Sequence, residues 1–221
     1  MSIKKLSVLA LALAASSAFA GNVVQYDTFG SLSAATFGGS GIPNNAVAIT
    51  TLANGVILGL SATQRYSGNP APTNNGAGVF QAVSGAYGAG DNLARWNFDF
   101  YVGGANFNDY TYKLFGDYSA AIGDADSSYL NISADFLEAP DSTNPNVPNT
   151  IQNSENMGFG TEFAQFDPGA AGQYGFYLAA FDRAGAEIGR SAILVNVPEP
   201  GTLALAGLAL VGMASLRRRK A

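Results

Sequence analysis

The sequence predicts an all-β protein in which a single antiparallel β-sandwich, of jelly-roll or immunoglobulin-like type, lies between two terminal segments. Three observations predict this fold. Short segments in the middle of the chain alternate apolar and polar residues, turn-forming residues separate these segments, and no stretch between the termini keeps a helical period. A β-barrel is the alternative architecture.

The N-terminal segment, residues 1–20, has the three parts of a secretory signal peptide. Lys4 and Lys5 form a charged start, and the stretch from Leu6 to Ala15 is apolar except for Ser7. The residues at the expected cleavage site follow the small-x-small pattern, with Ala18 and Ala20 as the small residues, so we expect cleavage before Gly21. The protein is therefore predicted to be exported.

Residues 21–197 form the predicted β-domain. Its clearest strand runs from Trp96 to Val102 and places Trp96, Phe98, Phe100 and Val102 on one face. Six further strands follow the same reasoning: Ala46–Leu52, Gly55–Thr63, Tyr110–Phe115, Leu130–Asp135, and the pair Tyr174–Phe181 and Ile193–Val197. Because Trp96 shares a face with three other apolar residues, we expect it to be buried in the core.

Turns and loops separate these strands. Asp182–Gly185 is predicted to close a hairpin, and Asp167–Gly169 a turn, because Pro168 fixes φ and Gly169 accepts a positive φ. The stretches Ser67–Gly78 and Ala139–Thr150 are rich in Pro, Asn, Ser, Thr and Gly, and they are predicted to be long loops.

The C-terminal segment, residues 198–221, has three successive parts. These are an acidic tripeptide with two prolines, an apolar stretch from Leu203 to Leu216, and a basic cluster, with the residues Pro198, Glu199, Pro200, Arg217, Arg218, Arg219 and Lys220. The apolar stretch would span only about 21 Å as a helix, which also suits a buried core helix. The cations that follow it directly favour a transmembrane helix with a cytoplasmic end.

This tail closely resembles the PEP-CTERM sorting signal of exopolysaccharide-producing Gram-negative bacteria. The resemblance rests on Pro198–Pro200, the apolar stretch and the cluster Arg217–Lys220. It implies that an exosortase, a membrane enzyme, recognises the tripeptide and removes the tail. It also implies a location at the cell surface or in the extracellular matrix after processing. The C-terminal helix would hold the protein in the membrane before that step.

Composition excludes several functions of the β-domain. It carries five basic and fifteen acidic side chains, a net charge of −10, so nucleic acid is not an expected partner. The chain has no Cys and no His. This excludes a disulfide, a Ser-His-Asp triad, a Cys nucleophile and a His-ligated zinc. A Ser-Lys dyad would need Lys113, which we expect to point to solvent. No cofactor is expected.

Carboxylate and aromatic side chains leave other possibilities. A glycosidase needs two carboxyl groups on either side of the scissile bond, and Asp99, Asp117, Asp135 and Glu162 are candidates. Asp124, Asp126 and Ser128 are weak candidates for calcium ligands, because their spacing matches the first positions of a calcium loop. However, Tyr129 stands where that loop needs Gly. Exposed tyrosines could stack on sugars, with Tyr66, Tyr87 and Tyr101 as candidates.

The sequence therefore favours a non-catalytic surface or matrix protein associated with exopolysaccharide or biofilm. The first alternative is a carbohydrate-binding module, with or without calcium. The second is a glycan-acting enzyme that uses two carboxylates.

Overall fold

The computed structural model describes residues 24–117, 129–138, 142–143, 148–161 and 166–199. Within them the chain forms two β-sheets and a few short turns of 3-10 or π-helix. The strands are β1 Thr28–Gly30, β2 Val47–Thr51, β3 Val56–Gln64, β4 Thr73–Asn74, β5 Val79–Gln81, β6 Trp96–Gly104, β7 Thr111–Asp117, β8 Tyr129–Asn131, β9 Ile151–Glu155, β10 Gly172–Phe181 and β11 Glu187–Val197.

The first sheet has the order β1-β2-β3-β6-β9, and each neighbouring pair is antiparallel. The second sheet has the order β4-β5-β11-β10-β7-β8 and is antiparallel except for the pairing of β5 with β11. The structure thus confirms the predicted all-β fold. Strand periodicity does not show which strands pair, so the parallel pair β5/β11 was not predicted.

The two sheets pack face to face around one apolar core. Phe98 of β6 stacks on Phe176 of β10 with ring centroids 4.5 Å apart. Trp96 contacts Tyr174 and Phe176 across the same interface, and only 2% of its surface is exposed. The predicted core face of β6 is therefore confirmed, because Trp96, Phe98, Phe100 and Val102 are all buried in this cluster.

The predicted hairpin at Asp182–Gly185 and the predicted turn at Asp167–Gly169 both form, but Gly169 does not take the positive φ that was expected of it. The β10–β11 hairpin is closed by the Asp182 amide, which donates to the Ala186 carbonyl at 2.9 Å. The Asp182 Oδ1 accepts hydrogen bonds from the amides of Ala184 and Ala186. Gly185 takes a φ of +82°, a conformation that suits glycine. The turn at Asp167 is stabilised in the same manner, because its Oδ1 accepts a hydrogen bond from the Gly169 amide.

Two predicted elements differ from the structure. The strand predicted over Leu130–Asp135 ends at Asn131, and residues Ser133–Leu137 form a π-helical turn instead. Asn131 ends the strand because its Oδ1 accepts hydrogen bonds from the Ser133 amide and hydroxyl. The loop predicted over Ser67–Gly78 contains the short strand β4, which pairs with β5.

Some predicted segments lie outside the described residues. These are the signal peptide with its cleavage site, the apolar stretch Leu203–Leu216, Pro200, the basic cluster Arg217–Lys220 and most of the loop Ala139–Thr150. In the part of the chain that the structure describes, no helix is both long enough and apolar enough to span a membrane.

Candidate functional site

A polar groove opens on the outer face of the first sheet, at the end where β3 finishes and β6 begins. It encloses about 570 Å³, a volume within the range of small-molecule sites. We call it the Arg65 groove. It is lined by Ser40, Gly41, Ile42, Pro43, Thr63, Gln64, Arg65, Tyr66, Ser67, Asn97, Asn153, Ser154, Glu155 and Phe159.

The polar groups of this groove lie where they do because successive side chains of a strand point to opposite faces of the sheet. Thr63 follows Ala62 of the core, and Asn97 lies between Trp96 and Phe98, so both side chains point away from the core. The strand register pairs Thr63 with Asn97. Asn97 Nδ2 donates to Ser154 Oγ of β9 at 3.1 Å. Hydroxyl and amide groups of three strands are therefore held in a row.

Asp99 lies two residues further along β6 and is completely buried. Thr63 Oγ1 donates to its Oδ1 at 2.9 Å. Burial raises the pKa of Asp99 from 3.8 to about 7, although hydrogen bonds from Ser154 and Thr63 act in the opposite direction. A carboxyl with this pKa carries a proton for part of the time at neutral pH, but it has no surface that a substrate could touch.

Arg65 follows β3 and is the basic residue of the groove. Only 6% of its surface is exposed, and its Cζ lies 4.6 Å from the Tyr66 ring centroid and 4.7 Å from that of Phe159. The Tyr87 ring lies 5.8 Å from the same atom and packs edge-on against Tyr66 at 5.0 Å. Such cation–π contacts hold the guanidinium in place.

The aromatic residues around Arg65 are largely exposed. Tyr66 is 59% exposed, Phe159 54% and Tyr87 48%, and they are three of the four exposed large hydrophobic side chains in the described residues. Tyr66 also takes a φ of +56°, a left-handed conformation that is uncommon for a bulky residue. A cluster of exposed rings with one strained backbone is a feature more typical of a binding site than of a random surface.

A buried asparagine holds Phe159 beside this cluster. Asn156 caps the 3-10 turn Met157–Phe159, because its Oδ1 accepts a hydrogen bond from the Gly158 amide. The same oxygen accepts from the Ala94 amide at 2.9 Å, and Nδ2 donates to the carbonyls of Ala94 and Trp96. The turn that carries Phe159 is thereby fixed to the start of β6.

The predicted carboxylates lie on different elements of the fold. Asp99 belongs to the first sheet, whereas Asp117 ends β7 in the second sheet and is also fully buried. Asp135 accepts hydrogen bonds from the amide and hydroxyl of Thr161. Glu162 lies outside the described residues.

The predicted calcium ligands Asp124, Asp126 and Ser128 also lie outside the described residues. Within the described ranges, no three acidic side chains come together as a metal site would require.

Two of the three tyrosines proposed to stack on sugars are exposed, and one is not. Tyr66 and Tyr87 lie side by side at the groove. The prediction for Tyr101 was wrong, because only 3% of its surface is exposed. It packs into a second, smaller apolar cluster with Leu32, Phe37 and Val47, where the segment before β2 covers the outer face of the first sheet. The prediction for Lys113 agrees with the structure, since its side chain is exposed.

The last described residues continue directly from β11. Strand β11 ends at Val197, and both Pro198 and Glu199 are exposed. Pro198 has no amide hydrogen with which to extend the β-ladder. A family model for the PEP-CTERM protein-sorting motif matches residues 196–220. The chain carries a PEP-CTERM sorting motif. No curated protein and no solved structure matches the chain.

This motif confirms the resemblance seen in the tail. It implies export, sorting at the membrane toward the cell surface, and an exosortase as the processing partner. The motif begins in the last two residues of β11. The exposed Pro198 and Glu199 are therefore accessible to an enzyme while the β-domain is folded.

Proposed function

We propose that the exported domain is a non-catalytic protein of the cell surface or extracellular matrix, where it binds exopolysaccharide through the Arg65 groove. The observation that carries this proposal is the combination of exposed rings and fixed polar groups. Tyr66 and Phe159 present apolar faces, and the half-buried Ser154, with the more deeply buried Thr63 and Asn97, lines the same groove with hydroxyl and amide groups. A sugar ring has an apolar face and a polar edge, so such a site complements both.

The absence of catalysis is part of this proposal. Asp99 is the carboxyl with a pKa suited to proton transfer near neutral pH, but none of its surface is exposed. A glycosidase needs both carboxyl groups at the scissile bond. The burial of Asp99 therefore supports a binding role over a hydrolytic one. Release of reducing sugar from the host exopolysaccharide by the purified protein would refute this part.

Delivery is tested by changing the sorting motif. Replacing Pro198, Glu199 and Pro200 together with alanine should leave the protein in the inner membrane, because the exosortase no longer recognises it. Cell fractionation followed by immunoblotting measures this. Normal release of that variant would contradict a role for the tripeptide.

Glycan binding is tested by removing the exposed rings. A Tyr66→Ala/Phe159→Ala variant should move from the exopolysaccharide fraction to the culture medium. Ile188→Ala is the matched control, because Ile188 is another large exposed apolar side chain and lies on β11, away from the groove. If the double variant and the control both stay with the exopolysaccharide, the groove does not hold the protein there.

A further inference from the structure

The side chain of Arg65 has more hydrogen-bonding capacity than the described residues use. Its Nη2 donates to the Tyr66 hydroxyl at 3.3 Å, and its buried Nε has no hydrogen-bond partner. The ion pairs found in the described part of the chain involve Arg183 and Arg190, not Arg65. A guanidinium carries five N–H donors, and those on Nη1 and Nη2 that do not bond Tyr66 remain for another molecule, whereas Nε is too buried to reach one.

Burying an unpaired charge is costly, and an anion bound beside it would offset that cost. The rings of Tyr66 and Phe159 lie within stacking distance of the guanidinium and restrict its orientation. Its remaining N–H groups are thus preorganised, and a carboxylate can accept two of them at once in a bidentate pair. This geometry distinguishes a carboxylate from a hydroxyl group.

We propose that the Arg65 groove recognises glycans that carry carboxylate groups, such as uronic acids, and that Arg65 binds the carboxylate. This inference rests on the proposed glycan-binding function and names the class of glycan. The sugar ring would lie against Tyr66 and Phe159, and its hydroxyl groups would meet Thr63, Asn97 and Ser154.

The charge of the rest of the protein predicts an unusual salt dependence. The β-domain has a net charge of −10 and repels a polyanion at long range, and Glu155 lies in the same groove. Salt screens such long-range repulsion, because the Debye length shortens to about 8 Å at physiological ionic strength. Salt weakens the short, partly buried Arg65 contact much less. Affinity for an acidic glycan should therefore hold or rise as salt increases, whereas binding to a basic patch would fall.

The test uses the full-length protein in a detergent without a sugar headgroup. The probes are hexasaccharides of galacturonate, of mannuronate and guluronate, and of glucuronate-containing hyaluronan, together with the same oligomers after carboxyl reduction. Calorimetry at low and at physiological salt measures the affinities. We expect at least one acidic oligomer to bind at least about tenfold more tightly than its carboxyl-reduced counterpart, since hydrogen bonds to charged groups are the stronger class.

Variants assign this selectivity to Arg65. Arg65→Gln should abolish the preference for the acidic oligomer over its carboxyl-reduced counterpart, whatever affinity remains for the latter. Arg65→Lys keeps the charge but loses the planar fork, so part of the preference should remain. Arg183→Gln is the matched control, because Arg183 is an exposed arginine whose ion pair is with Asp109. It should keep the full preference. The fluorescence of Trp96 reports whether each variant is folded.

The outcomes separate this inference from the proposed function. Equal affinity for acidic and reduced oligomers overturns the carboxylate inference. So does an Arg65→Gln variant that is folded and keeps the preference. In both cases the glycan-binding proposal stands if the Tyr66→Ala/Phe159→Ala variant loses affinity for the reduced oligomer. Binding of no oligomer also overturns the inference, and retention of the protein in the host exopolysaccharide then decides the proposed function separately.

Discussion

The buried carboxyl of Asp99 should make the protein less stable as pH rises. Burial raises its pKa from 3.8 to about 7 in the folded state. In the unfolded chain the same group is exposed to water and titrates near its ordinary value. Between about pH 4 and pH 7 the folded state therefore keeps a proton that the unfolded state has lost. The free energy of unfolding falls with increasing pH wherever the folded state binds more protons.

The size of this effect follows from the two pKa values of Asp99. They differ by about three pH units, and each unit corresponds to ~1.36 kcal/mol, so the full loss is about 4 kcal/mol. This loss is complete above about pH 7. The chain has no histidine, so no imidazole titrates in the same window.

The test compares the wild type with Asp99→Asn in urea unfolding experiments between pH 4.5 and pH 8. Trp96 is the only tryptophan and reports the transition through its fluorescence. The wild type should lose several kcal/mol across this range, whereas Asp99→Asn should lose much less because its amide does not ionise. Asp182→Asn, in the exposed β10–β11 hairpin, is the matched control and should follow the wild type. A pH profile of Asp99→Asn that matches the wild type would refute the reasoning.

Three further predictions concern the core, the domain and calcium. Trp96→Ala should lower the free energy of unfolding by ~3–5 kcal/mol, because it leaves a cavity between the sheets. Urea unfolding followed by circular dichroism measures this loss, with Tyr87→Ala as the exposed control. The fragment Gly21–Val197 should fold alone, with a β-type circular dichroism spectrum in buffer without reductant or zinc; a helical or random-coil spectrum would contradict this. If the domain binds a metal, we expect calcium, and calorimetry should show a saturable site that Asp124→Ala removes.

Strand periodicity predicted the parts of the fold where one face is buried and the other is not. In β6 the core residues Trp96 and Phe98 alternate with Asn97 and Asp99, and this alternation of apolar and polar residues is visible in the sequence. By contrast, β9 reads Ile-Gln-Asn-Ser-Glu and has no alternation of apolar residues. It forms at the edge of the sheet because β6 offers a free backbone ladder there. Backbone pairing leaves little trace in a sequence of polar residues.

Tyr101 shows that strand periodicity does not predict burial on the outer face of a sheet. Its position in β6 placed it on the outer face of the first sheet, and the structure agrees with that placement. An outer face is exposed only if nothing covers it. Here Leu32 and Phe37, from the segment between β1 and β2, pack on Tyr101. Alternation predicts which side of a sheet a residue faces. It does not predict which loops return to cover that side.

The Arg65 groove could be predicted only in part. Alternation placed Thr63 and Asn97 outside the core, and the tyrosine pair Tyr66 and Tyr87 was a candidate for stacking on sugars. Ser154 and Phe159, however, lie about ninety residues after Thr63 and Tyr66, in a segment without a strand pattern. One feature of the sequence distinguishes Arg65: it is one of only five basic residues in the β-domain, and it precedes an aromatic residue. The contacts that bury it depend on the fold.

The sorting motif and the proposed binding groove lie in different parts of this chain. The sorting motif continues from β11 in the second sheet, whereas Thr63, Asn97 and Ser154 of the groove belong to β3, β6 and β9 of the first sheet. A change to Arg65 or Phe159 leaves Pro198 and Glu199 exposed and should not alter export or processing. A change to the tripeptide leaves the groove intact and should not alter glycan affinity. The two sets of variants therefore test the destination of the protein and its activity there independently.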